Sequence, residues 1–121
     1  MNETLNFKVG ENTYTIKFPT VGEYYAIQAS KQSLSVGYYN SLSESMVKAA
    51  NNAADMIDIE ATLSVLCPDI MKDLKCDSFK KMGLKDYLMV KESYINQFVP
   101  WWREIEELLN PTKKDDKKDE S

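Results

Sequence analysis

Apolar and polar residues alternate at the start of the chain, and the period then changes. Leu5, Phe7 and Val9 alternate with Asn6 and Lys8, and Tyr14, Ile16 and Phe18 alternate with Thr15 and Lys17. Period two on either side of Gly10-Glu11-Asn12, a short turn of residues that tolerate positive φ, predicts a β-hairpin over 5–18. Its six apolar side chains share one face. An isolated hairpin is only marginally stable, so that face must lie on something. Pro19, with no N–H to donate, ends the second strand. Thr20-Val21-Gly22-Glu23 then fits a capping box, with Thr20 as N-cap and Glu23 reaching back, and Phe18 and Tyr24 fall near the staple positions. Tyr24, Ile27 and the row Ala26, Ala29, Ser30 form the packing face of the first helix, which ends near Ser33 to Ser35.

Beyond it the spacing is helical almost to the end. Gly37 and Asn40 loosen the segment Val36 to Leu42, which reads as a loop with one helical turn around Tyr38 and Tyr39. Ser41 or Ser43 caps a long helix over 44–66, with an apolar stripe through Met46, Ala49, Ala50, Ala53, Met56, Ile57, Leu63 and Leu66. Asn51 and Asn52 lower its propensity and mark a candidate break. Pro68 opens a short helix, PDIMKDL. Asp77-Ser78 forms another cap and Gly83 a stop. Leu84, Tyr87, Leu88, Lys91, Tyr94, Ile95 and Phe98 repeat at helical spacing until Pro100, which kinks that helix or opens a new one. Ile105, Leu108 and Leu109 complete the last stripe. Strand, strand, then helices only is the order of a segregated α+β fold. The chain is expected to form one domain over 1–111, with the helical body at 20–110 and a disordered, charged tail at 112–121.

Composition narrows the function. The 121 residues are 43% hydrophobic, enough for a single moderate core. Net charge is −4, which disfavours phosphate backbones and so a nucleic-acid partner. The tail carries four lysines and four acids, so the acidic excess belongs to the folded part. No run approaches the roughly 18 apolar residues of a membrane span, and the N-terminus lacks the regions of a signal peptide. A cytoplasmic protein with no membrane partner is expected.

Candidate chemistry is sparse. The chain has no histidine, which removes imidazole acid/base work and histidine-activated nucleophiles. Ser30-Lys31 has no nucleophile-elbow glycines beside it. Cys67 and Cys76 match no common metal spacing and read as reduced thiols. Asp55, Asp58 and Glu60 cluster in MIDIE without a calcium-loop ladder, as on a solvated helix face or a contact with a basic patch. The four glycines form no phosphate loop. No catalytic residue, metal or cofactor is expected.

The aromatic residues are more informative. Tyr24 and Tyr25, Tyr38 and Tyr39, and Trp101 and Trp102 are adjacent pairs. Helix neighbours point about 100° apart, so one ring of each pair is expected at a surface. Tyrosine and tryptophan are common interface anchors, which makes these six the candidate partner-binding residues.

The run KVGENTYTIKFPTVGEYYAI, a helical body, then FVPWWREIEELL and a lysine-rich end resembles the tail assembly chaperones of long-tailed, siphovirus-like bacteriophages. The likeness covers roughly residues 5–110 and is one of organisation and size. It implies a small, non-enzymatic cytoplasmic protein, absent from the finished virion, that binds the tape measure protein, keeps it soluble and helps recruit tail tube protein. Many members also exist as a frameshifted longer form, for which the codons of Lys113-Lys114 or Lys117-Lys118 would be the slippery run. Two other readings stay open. One is an acidic inhibitor or decoy presenting Asp55, Asp58, Glu60, Asp69 and Asp73 to a basic host surface. The other is a minor virion structural protein. A two-stranded sheet also leaves unpaired edge groups, so self-association into a homo-oligomer is a further expectation.

Overall fold

The computed structural model describes residues 3–76 and 78–111. The expected tail at 112–121 and Asp77 of the expected cap lie outside them. The fold is α+β: a two-stranded antiparallel hairpin followed by a mostly helical body. Strand β1, Thr4–Val9, pairs with β2, Asn12–Lys17, in a register that sets Leu5 opposite Ile16, Phe7 opposite Tyr14 and Val9 opposite Asn12. The turn is one residue tighter than expected, because Asn12 pairs as a strand residue. Gly10, at φ +61°, supplies the positive φ that a two-residue hairpin loop needs at its first position. Phe7, Val9 and Ile16 are buried on the inner face, with Leu5 and Tyr14 packed beside them. The Phe18 N–H still donates to the Glu3 carbonyl, at 2.9 Å, before Pro19 ends the pairing.

Helix α1, Val21–Leu34, begins with the capping box. The Glu23 N–H donates to Thr20 Oγ1 at 3.0 Å, and the Thr20 N–H donates to Glu23 Oε1 at 2.9 Å. Phe18 and Tyr24 do not staple to each other; each ring packs on a different tryptophan. The packing face of α1 runs through Tyr24, Ile27, Lys31 and Leu34 at spacings of three and four. Ala26 and Ala29 are exposed, because they project from the opposite side of that face.

The helix closes by a device its letters conceal. Gly37 N–H donates to Gln32 O at 2.8 Å and Val36 N–H to Ser33 O at 3.2 Å, the paired bonds of a Schellman motif. The left-handed position falls on Val36, at φ +54°, where glycine is usual. Lys75, at φ +56°, plays the same part after α4, Asp69–Asp73. There Cys76 N–H reaches Met71 O and Lys75 N–H reaches Lys72 O.

The helix expected over 44–66 starts later, at Lys48, and the helical turn expected around Tyr38 and Tyr39 is a separate short helix ahead of it. Helix α2, Tyr39–Glu44, is followed by an extended Ser45, and α3 runs Lys48–Leu66. Ser41 and Ser43 are not its caps. Ser45 Oγ accepts from the Val47 N–H, and the Asn51 side-chain amide donates to the carbonyls of Leu42 and Ser45. Asn51 therefore braces the corner between α2 and α3 and breaks no helix. Met46, placed on the expected apolar stripe, is 95% exposed in that corner. Helix α3 buries Ala54, Ile59, Ala61, Thr62 and Leu63 on several faces, because α1 and α2 pack on it from one side and the main core from another.

Pro68 precedes α4 as expected. Ser78 caps a 3₁₀ turn, Phe79–Lys81, through a bond from the Lys80 N–H. Gly83 stops no helix; it is the extended residue from which α5, Leu84–Ser93, begins. A π-helical turn, Tyr94–Phe98, joins α5 to α6, Val99–Leu109. The Val99 N–H bonds to Tyr94 O, five residues back, and the wide turn falls just before Pro100, which sits harmlessly in the first turn of α6. Tyr87, Val90, Phe98, Trp101 and Ile105 are buried, while Leu84, Leu88 and Ile95 of the expected stripe are exposed.

Phe98 is the hub of the core. Its ring stacks on Tyr94 at 4.7 Å and on Trp102 at 5.3 Å, and meets Phe7 at 6.4 Å and Trp101 at 5.8 Å edge-on.

Val36 offers a direct test of the helix closure. An L-residue in the left-handed region costs about 1–2 kcal/mol, and the larger unfolded-state entropy of glycine takes back about 0.5–1 kcal/mol. Val36 is 79% exposed, so little packing is lost on truncation. Val36→Gly should therefore raise unfolding stability by roughly 0.5–1 kcal/mol in urea titrations; a destabilised variant would refute the assigned geometry.

Candidate interaction surface

The six candidate rings separate into three environments. Trp101 and Trp102 face inward. Trp101 is 6% exposed and meets Phe18 and Phe98 edge-on. Trp102 lies between Phe98 and Tyr24, stacked on both, within a column that runs Tyr94, Phe98, Trp102, Tyr24. The expectation that one indole of this pair stands at the surface is corrected: Trp101 is buried and Trp102 is half-buried. Helix α6 is seated between the hairpin end and α1, so it has two buried flanks, and neighbouring indoles fill one each.

Tyr24 and Tyr39 are half-buried and engaged. The Tyr24 hydroxyl donates to Glu106 Oε2 at 3.3 Å, and Trp102 Nε1 donates to the same oxygen at 3.1 Å. The Tyr39 hydroxyl donates to Asp58 Oδ2 at 2.8 Å, while Lys31 Nζ pairs with Asp58 Oδ1 at 3.0 Å and lies over the Tyr39 ring at 5.3 Å. That cluster ties α1, α2 and α3 together. Tyr25 and Tyr38 are the free members of their pairs, 70% and 64% exposed, at opposite ends of α1.

Tyr25 stands on the wall of an apolar groove of about 410 Å³. Phe18, Val21 and Tyr25 form one side, Leu108 and Leu109 the other, and Ile105 part of the buried floor. The turn that seats both indoles of α6 inward leaves its last leucines pointing along this surface. Sequence reasoning named only Tyr24 and Tyr25 here. Leu108-Leu109 carried the same signal as the aromatic pairs, two adjacent apolar residues that no single helix face can hold. A second set of exposed apolar residues, Val36, Tyr38, Met46 and Val47, lies around the turns between α1 and α3.

Several carboxylates are engaged within the molecule. Asp58 is held by Tyr39 and Lys31. Asp73 Oδ2 accepts from the Tyr14 hydroxyl at 2.6 Å. Glu60 Oε2 accepts from Ser78 Oγ and the Phe79 N–H, both at 3.3 Å, and Asp69 lies 3.8 Å from Lys72 Nζ. Among the described residues no cluster of three or more histidine, cysteine or acidic side chains is placed to hold a metal ion. No described helix is long and apolar enough to cross a membrane.

Burial, with help from neighbouring carboxylates, holds the phenols of Tyr14, Tyr24, Tyr39 and Tyr94 above their ordinary range. It pushes Tyr87, whose buried hydroxyl has no hydrogen-bond partner among the described residues, up to about 12, and the Cys67 thiol up to about 11.

These shifts fix the sign of the alkaline response. Each group binds its proton more tightly folded than unfolded. The resulting stability is complete below the ordinary thiol and phenol pKa values, ~8.5 and ~10, and is lost as pH rises toward the folded values. The urea midpoint should therefore fall steadily from about pH 8.5 to about pH 11. A midpoint unchanged across that window would contradict the burial assigned to Cys67 and the core tyrosines.

Comparison of the chain with protein-family models, with curated proteins and with solved structures found no match.

Proposed function

We propose that this chain is a non-enzymatic phage tail assembly chaperone that binds the tape measure protein, keeps it soluble and assists assembly of tail tube protein. The resemblance in organisation supplies the client's identity. The single observation that carries the binding mode is the exposed apolar groove between the start of α1 and the end of α6. A long helical client exposes apolar side chains at i, i+3, i+4 and i+7, and a groove walled by Phe18, Val21, Tyr25, Leu108 and Leu109 receives such a ridge. Burying each large apolar side chain contributes roughly 1.5–3 kcal/mol. Association entropy offsets much of that sum, so affinity is modest and release during assembly remains accessible. The net charge of −4 keeps the loaded complex in solution. The acidic decoy reading is less well supported, because Asp58, Glu60 and Asp73, three of its five carboxylates, are already bonded within the chain.

The experiment is co-expression and titration with the helical tape measure protein. The double variant Tyr25→Ser with Leu108→Ser should weaken binding at least ~10-fold, the equivalent of about 1.4 kcal/mol. Affinity should change little as salt rises, since apolar contacts are not screened. Undiminished binding by the double variant would refute the groove. Steep salt sensitivity would favour the acidic decoy instead, and recovery of the protein in purified particles would favour a minor virion component.

A further inference from the structure

The two edges of the hairpin are not equivalent. The Phe18 N–H turns toward β1, so by the alternation of an antiparallel ladder Asn12, Tyr14 and Ile16 do too. Thr13, Thr15 and Lys17 therefore turn their backbone N–H and C=O outward. On β1 the outward residues are Thr4, Asn6 and Lys8. There the Gln97 side chain closes the edge: Lys8 N–H donates to Gln97 Oε1 at 2.7 Å, and Gln97 Nε2 donates to Lys8 O at 2.9 Å. Helix α5 and the π turn lie along the same side. The outward groups of Thr13, Thr15 and Lys17 have no partner among the described residues, and all three side chains are exposed.

We propose that the outer edge of β2 pairs with the same edge of a second copy, making a continuous four-stranded antiparallel sheet across a twofold axis at Thr15.

The occupant is dictated by the symmetry of the edge. The pairing window opens after the Gly10-Glu11 turn and closes at Pro19, and its midpoint is Thr15. Because Thr15 points its backbone groups outward, a twofold axis there matches the whole window to itself with no overhang. Thr15 then faces Thr15 of the partner, and Thr13 and Lys17 face each other. Each exchanges both outward backbone bonds. The register keeps the two Lys17 ammonium groups from facing one another. Threonine suits both strand geometry and cross-strand contact. On the inner face Tyr14 of one copy lies beside Ile16 of the other, extending an apolar surface already buried in each monomer. Of the groove walls only Phe18 falls in the pairing window, and its backbone turns toward β1, so the dimer does not depend on the client.

The test uses the full chain in sedimentation equilibrium at about 100 µM, where a dimer of micromolar affinity is saturated. The wild-type protein should sediment as a dimer. Thr15→Lys sets two like charges opposite each other at the axis and should weaken the dimer at least ~10-fold. Thr15→Pro removes an outward donor and no bond to β1, so it should give a monomer with unchanged circular dichroism. The groove variant Tyr25→Ser with Leu108→Ser should remain dimeric. A monomeric wild-type protein would overturn the proposal. So would dimers undiminished in Thr15→Lys, or a dimer lost in the groove variant. If Thr15→Pro fails to fold, Thr15→Lys decides alone.

Discussion

The edge-on contact between Phe7 and Phe98 joins the two halves of this molecule, and most of the architecture depends on it. A two-stranded hairpin has one apolar face and no means of covering it. Phe98 lies under that face and belongs to a π turn whose flanking helices carry the aromatic residues that surround it. Fully burying a phenylalanine contributes roughly 1.5–3 kcal/mol from removed apolar area alone. Offset and edge-on ring pairs add about 0.5–1.5 kcal/mol each. With four aromatic neighbours, Phe98 lies at the meeting point of hairpin, α5 and α6. Gln97, beside it, ties the β1 backbone to the same turn.

The groove is a consequence of that arrangement. Seating Trp101 against Phe18 and Trp102 against Tyr24 fixes the rotation of α6, and the rotation leaves Leu108 and Leu109 exposed. The capping box holds the other wall, because Thr20 and Glu23 define where α1 begins and so where Val21 and Tyr25 stand. Rigid neighbours present the exposed side chains, which lowers the entropy lost when they are covered. The polar ties at Asp58, Glu60 and Asp73 meanwhile engage three of the carboxylates within the molecule.

The local features were legible in the sequence. The hairpin, Pro19, the capping box and the Pro68 boundary each depend on a few adjacent residues whose chemistry permits little else. What was not legible arose where a residue departs from the usual choice or where distant segments meet. Val36 and Lys75 occupy left-handed positions that normally announce themselves as glycine, so their Schellman closures left no letter to read. Ser45 extends the chain inside a run of good helix formers, a break that Asn51 stabilises from the next helix. On α5 the buried phase runs through Tyr87 and Val90, which leaves Leu88 outside, and in the π turn the inward position falls on Phe98 and leaves Ile95 exposed. Of the tryptophan pair one buried member was expected and is Trp101, but its neighbour Trp102 is half-buried rather than exposed, since helix geometry alone does not reveal that α6 has two covered flanks. The groove unites residues from opposite ends of the chain, and only folding brings Phe18 beside Leu109.

The central claim is that hairpin and helices form one cooperative unit held at Phe98. Native-state hydrogen exchange tests it most directly, followed amide by amide as denaturant is raised. The inward-bonded amides of Phe7, Tyr14 and Ile16 should exchange only through global unfolding, with the same free energy and denaturant dependence as Thr62 and Leu63 in α3. Hairpin amides that exchange through a separate opening, several kcal/mol below the global value, would show that the sheet is merely an appendage and would contradict the account.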